Sequence, residues 1–319
     1  MKFILDDEQK LFSDTLDKLL SEADVPSAAR SWAGGSHGPG LALWRSLTDA
    51  GLFALAVPES FGGVGPLPVE LVTAFRVLGK HGVPGPYVET AAVAAILGSC
   101  DLGSEWLPRI AEGEILASLT FPEVPYALDA DAADVVLAVQ GGVLRHATDG
   151  EAHASVDPAR RLFSVRPGEE ITGGDAGAAY DLGVLLCAAQ LSGLGDRLLS
   201  VTVDYAKTRH QFGKPIGEFQ AVKHHLADAY VALEHARPLL YGAALAYSSP
   251  TFARDVSAAK AAVSEAAYFA SRIALQVHGA IGYTDEYDPT LLIRKVRALR
   301  TAWGSPAVHK ARVLTALTR

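Results

Sequence analysis

At 319 residues, 49% hydrophobic and 20% charged, the chain is too long for one ordinary core, so two or three packed units are expected. Its net charge of -8 argues against a nucleic-acid or anionic-membrane surface, both of which need a basic face. Any anionic ligand must therefore be held by a few local cations. Cys100 and Cys187 both lie in apolar runs and read as small core residues, not as a disulfide or metal pair. The opening "MKFILDDEQK" meets three acids before any long apolar run, and no stretch of 18 uninterrupted apolar residues occurs. The expectation is a soluble cytoplasmic protein without a signal peptide or membrane span.

In chain order, residues 1–114 read as a helical domain. "DDEQKLFSDTLDKLLSEA" puts Leu11, Phe12, Leu16, Leu19 and Leu20 on one stripe at helical spacing. "LALWRSLTDAGLFAL" is a second helix with Gly51 in a C-cap position. "PESFGGVGPLP" is a Pro/Gly-punctuated loop, and "PVELVTAFRVLGKHG" and "YVETAAVAAILGS" are two further helices. Residues 115–175 change texture. "ILASLTF", "DVVLAVQGGVLRHATDG" and "RLFSVRP" are short β-like runs, with Gly141-Gly142 placed as a hairpin turn, enough for a small sheet. Residues 176–319 return to helix, over 178–208, 218–247, 251–279 and 289–298, with a last helix from about Ser305. Helices this long, Ala-rich and joined by tight turns, read as a four-helix bundle. The fold class is mainly α with a small β domain.

Two junctions stand out. "TRHQFGKPIGEFQAVKHHLAD" gathers Arg209, His210, Lys214 and two glycines around Phe212 between two long helices. Cations beside backbone-exposing glycines suit a phosphate; a solvated turn with a Gly stop and a Pro restart is the other reading. "QVHGAIGYTDEYDP" offers Gln276 as a donor and Gly279 and Gly282 as points of close approach, or a Schellman-type helix stop. His224, His225 and Asp228 do not share a helical face as ligands would, and no metal is expected. No Walker A, Rossmann glycine motif or Gly-x-Ser-x-Gly elbow occurs.

These residues carry a resemblance. "YAKTRHQFGKPIGEFQAVKHHLADAY", "QVHGAIGYTDEYDPTLLIRKVRAL" and "WRSLTDAGLFALAVPESFGGVG" are similar, in order and over most of the chain, to three signatures of the acyl-CoA dehydrogenase family. The resemblance implies an N-terminal helical domain, a middle sheet domain and a C-terminal four-helix bundle, with FAD as cofactor. It also implies that Arg209 reaches the flavin pyrophosphate of a neighbouring chain, that Phe212 packs near it, and that Gln276, Gly279 and Ala280 meet the same cofactor.

The family's reaction takes a proton from the acyl α carbon, which needs a carboxylate base. Aligned on Arg294, Trp303 stands where most members carry the catalytic Glu; the alternative position, counted back from Phe212, is Gly183. No catalytic residue is therefore assigned. Asp181 is a weak candidate whose alternative reading is the N-cap of a helix beginning at Leu182. The middle region keeps only a Leu-Thr-x-Pro echo in "SLTFPEVPYALDA", at roughly half the expected domain length. The resemblance implies a base-lacking subunit that completes the flavin site of a full-length homologue in a heterotetramer, the partner binding most of an acyl-CoA substrate that is bulky or steroid-derived. A self-sufficient homo-oligomer with Asp181 or Glu286 as relocated base, and a flavin-free scaffold or acyl-CoA-binding protein, stay open.

Overall fold

The computed structural model describes residues 4–318. Helix α1 (Asp7–Glu22) opens on a capping box: the Asp6 carboxylate accepts from Gln9 N at 2.8 Å, and Asp6 N donates back to Gln9 Oε1 at 3.1 Å. Its core stripe is narrower than the sequence spacing predicts. Leu16 and Leu20 are buried and Phe12 and Leu19 partly so, while Leu11 is 68% exposed. α2 (Val25–Ala33) was not anticipated, although Asp24 caps it through Ser27 N and Pro26 sits in its first turn. α3 (Gly38–Asp49) ends in a Schellman-type turn, with Gly51 at φ 87° and Leu52 N donating to Leu47 O. α4 (Pro68–His81), α5 (Tyr87–Leu97) and the short α6 (Gly103–Ala111) complete the helices before the sheet.

The sheet contains β1 (Ala117–Thr120), β2 (Ala127–Leu128), β3 (Val135–Gln140), β4 (Val143–His153) and β5 (Leu162–Ile171), in the order β1-β3-β4-β5-β2. β1 and β3 are parallel; every other pairing is antiparallel. Gly141 and Gly142, at φ 61° and 81°, make the β3–β4 hairpin turn. Asp129, beside β2, ties the sheet to α2. It is wholly buried, accepts from Arg161 N at 3.1 Å, and lies close to the Trp32 indole. Burial pushes its carboxyl from 3.8 up to about 7, against the smaller opposing pull of those donors.

A raised folded-state value means that Asp129 favours the fold most below pH 4, and that this contribution is lost as the pH rises towards 7. Asp129→Asn is expected to remove a pH-dependent stability change on the order of 4 kcal/mol. Urea midpoints compared at pH 4 and pH 7 check this.

The last unit has α7 (Ala176–Thr208), a two-stranded hairpin of β6 (His210–Gln211) and β7 (Lys214–Pro215), α8 (Gln220–Leu245), α9 (Phe252–His278), α10 (Asp288–Leu299) and α11 (Pro306–Thr318). α7, α8 and α9 pack together, with α11 laid along α9, as the bundle. By length and hydropathy alone α7 is long and apolar enough to cross a membrane, yet 83% of its most apolar window is buried within the protein. It also packs on α4, where Gly79 and Gly193 leave no room for a Cβ against the facing backbone carbonyls of Gln190 and Arg76. Beside that crossing Arg76 reaches Asp196 at 2.7 Å and the Tyr241 hydroxyl at 2.8 Å, joining α4, α7 and α8. Cys187 is buried on α7 and Cys100 half-buried, both as free thiols.

Candidate functional site

The first junction folds as a β-hairpin projecting from the end of α7. Arg209 leaves the helix with extended backbone, and its carbonyl accepts from Ile216 N at 2.8 Å, closing the loop. Phe212 and Gly213 occupy the two turn positions at φ 54° and 82°, the pattern of a type I′ turn. A bulky residue in the left-handed region is strained, and here it holds the Phe212 ring 92% exposed at the tip. Phe212 meets Phe219 edge-on at 6.1 Å, and Lys214 Nζ sits 4.5 Å over the Phe219 ring. The Arg209 side chain is exposed and makes no ion pair or hydrogen bond among the described residues.

Between this hairpin and α9 runs a groove of about 650 Å³, with Phe212 and Phe219 on one side and Arg272 and Gln276 on the other. Phe212 and Gln276 are thus brought together. Arg209 does not line the groove. Gly279 ends α9 at φ 65°, its N–H donating to Leu275 O, and Ala280 follows in a 3₁₀ turn over Gly279–Tyr283. Both are exposed and lie outside the groove. An unpaired guanidinium, an aromatic held out from the surface, an exposed amide side chain and a bare Gly backbone fit the pyrophosphate of a flavin, and among the described residues they form no closed cradle. His224 and His225 are exposed on α8.

The two positions at which the family's base would stand face each other. Trp303 is buried, at φ 57°, and its ring lies so close on Gly183 that a Cβ there would overlap it. The indole ring is 5.6 Å from Phe121 and 6.0 Å from Tyr180, and its N–H donates to Glu89 Oε1 at 3.2 Å.

The N-cap reading of Asp181 needs correcting. Asp175, not Asp181, caps α7, through Ala178 N at 2.9 Å. Asp181 lies inside the helix and pairs with Arg312 at 2.7 Å, in a place where burial raises its carboxyl and the guanidinium pulls the other way. Bound to Arg312, it is poorly placed to take a proton from a substrate. Glu286 is exposed and lies outside both the groove and the cleft beside Trp303.

Sequence reasoning missed Glu89. It is buried on α5 and lines a cleft of about 530 Å³ beside Trp303. Burial raises its carboxyl above the usual range, with Arg160 and the Trp303 N–H opposing the shift. A signal was present: one acid in the otherwise apolar run "YVETAAVAAIL".

A family model described as the acyl-CoA dehydrogenase N-terminal domain matches residues 6–114, and one described as the C-terminal domain matches residues 178–318. The chain is 34% identical over 305 residues to the acyl-CoA dehydrogenase IpdE2 of Mycobacterium tuberculosis, covering 94% of each chain. It is also 34% identical to IpdE2 of Mycolicibacterium smegmatis, covering 95% of this chain and 96% of the relative. Among solved structures it matches the ChsE4-ChsE5 complex from Mycobacterium tuberculosis with a TM-score of 0.85 at 22% identity, over 100% of this chain and 99% of that one. PigA in complex with FAD matches with a TM-score of 0.82 at 19% identity, over 100% and 99% of the two chains. With its terminal units matching the family models and its helix–sheet–bundle architecture shared with those structures, the chain belongs to the acyl-CoA dehydrogenase family.

Proposed function

We propose that this chain is the base-lacking subunit of a heteromeric acyl-CoA dehydrogenase and completes the flavin site of a catalytic partner. The observation that carries the reading is Trp303 seated against Gly183, which fills both base positions at once. FAD is the cofactor of the family; when bound, it accepts the hydride that leaves the acyl β carbon. On this reading Arg209 balances the pyrophosphate charge, Phe212 covers the cofactor's edge, and Gln276 with the Gly279–Ala280 backbone supplies hydrogen-bonding groups. The acyl pocket and the base belong to the partner. Two structural neighbours support an unlike partner and a bulky substrate: the ChsE4-ChsE5 complex and a Tcur3481-Tcur3483 protein described as a steroid acyl-CoA dehydrogenase, at 22% and 20% identity.

The visible absorbance spectrum tests this, taken on the chain alone and after co-purification with a full-length homologue. The expected result is flavin in the complex only, at one per pair of unlike chains. A yellow homo-oligomer bleached by an acyl-CoA overturns the reading and directs attention to Glu89. A complex without flavin favours the scaffold instead.

A further inference from the structure

The cleft beside Trp303 has a charge character unlike the rest of this acidic chain. Arg160, Arg297 and Arg300 all line it, and none makes an ion pair among the described residues. Arg300 is oriented from two sides. Its guanidinium lies 4.7 Å over the Tyr268 ring, while its carbonyl accepts from the buried Lys260 ammonium at 3.4 Å. Arg300 Nε is inaccessible to solvent and has no partner. What the cleft offers an acceptor is therefore the outer part of three guanidinium groups that carry no ion pair among the described residues.

The opposing carboxylates are few. Glu123 is exposed on the rim, and Glu89 at the floor already accepts from the Trp303 N–H. Burial raises the Glu89 carboxyl, and the nearby Arg160 opposes the shift. Three guanidinium groups against these two carboxylates leave a surplus of positive charge, which suits an anion. The volume of about 530 Å³ exceeds what a lone oxyanion fills, and Tyr126, Val156 and Trp303 give the wall an apolar, partly aromatic surface.

We propose that this cleft binds a small organic dianion with a ring-shaped body, its oxygens held by Arg160 and Arg300 and its ring lodged against the exposed faces of Tyr126 and Val156. A phosphate monoester and a dicarboxylate share that chemistry. The site shares Trp303 and Glu89 with the reading above but none of the hairpin residues, so dianion binding and flavin retention are read out separately.

Calorimetric titration of the full chain with phenyl phosphate and with phthalate distinguishes the two sources, and inorganic phosphate serves as the control without a ring. Saturable binding of one or both ringed dianions is expected, about tenfold tighter than inorganic phosphate. Arg160→Gln and Arg300→Gln should each weaken it about tenfold or more, as loss of a charge-assisted hydrogen bond does. Arg45→Gln, at an exposed arginine on α3, should leave it unchanged. Arg300→Gln also removes the stack on Tyr268. If that variant fails to fold, Arg160→Gln carries the test, since its side chain has no partner among the described residues. Absence of saturable binding up to about 10 mM of either probe, far above the range of a specific site, overturns the proposal. So does binding that Arg160→Gln leaves intact, or binding of inorganic phosphate as tight as that of the ringed probes.

Discussion

Trp303→Glu is expected to destabilise the chain by about 3–5 kcal/mol and to create no dehydrogenase base. The substitution restores the family's residue at the aligned position, so conservation-guided repair predicts a gain. Physical reasoning predicts the opposite. The indole is buried among Phe121, Tyr180 and Gly183, and its removal leaves a void lined by aromatic rings. The new carboxyl would stand beside Glu89, whose charged form burial already disfavours, so two acids would share one buried site. Trp303→Phe keeps an aromatic side chain but gives up the outer indole ring on Gly183 as well as the donor to Glu89, a smaller cost of about 1–3 kcal/mol. Urea unfolding midpoints rank the three proteins. A Trp303→Glu chain as stable as the parent, giving a homo-oligomer that bleaches with acyl-CoA, would show that the base position is vacant in function and not sealed.

Arg209→Ala should do the reverse, sparing the fold and removing the cofactor. The side chain is exposed and partnerless among the described residues, so the chain's own stability should change by no more than about 0.5 kcal/mol. In the co-purified complex, losing one arm of a pyrophosphate clamp should weaken FAD retention about tenfold or more. Arg209→Lys should recover part of that loss, because an ammonium keeps the charge but not the fork of donors. Flavin fluorescence on dilution reads the dissociation directly. Unchanged retention in Arg209→Ala would remove the hairpin from the cofactor site.

The two experiments bear on parts of the molecule that differ in how far the sequence discloses them. The long helices are legible because α7, α8 and α9 combine apolar periodicity with Gly and Pro punctuation at their ends. α2 and α6 escape because nine residues carry barely two turns of periodicity, and β2 because two residues carry none. The junction at Arg209 is legible as an oddity of composition, but its shape is not. Type I′ turns favour Asn or Gly at the first central position, and nothing local announces that Phe212 occupies it. The contact of Trp303 with Gly183 is a product of tertiary packing between α7 and the turn after α10, so each position could be identified while their mutual occlusion could not. Glu89 is hidden for another reason. A lone acid in an apolar helix can be noticed, but its placement against the Trp303 N–H depends on packing between residues 214 positions apart.

Helix α7 joins the two halves of this account, and its length has a mechanical meaning. Thirty-three residues make a rod of about 50 Å, with Gly183 under Trp303 near one end and Arg209 at the other, roughly 40 Å away. The crossing at Gly79 and Gly193 lies close to the rod's midpoint, where backbone meets backbone without intervening side chains. The rod also packs against α5, α8, α9 and α10, so it is held along its length and not at the centre alone. It therefore acts as a fixed spacer, keeping the occluded base position and the exposed hairpin a set distance apart.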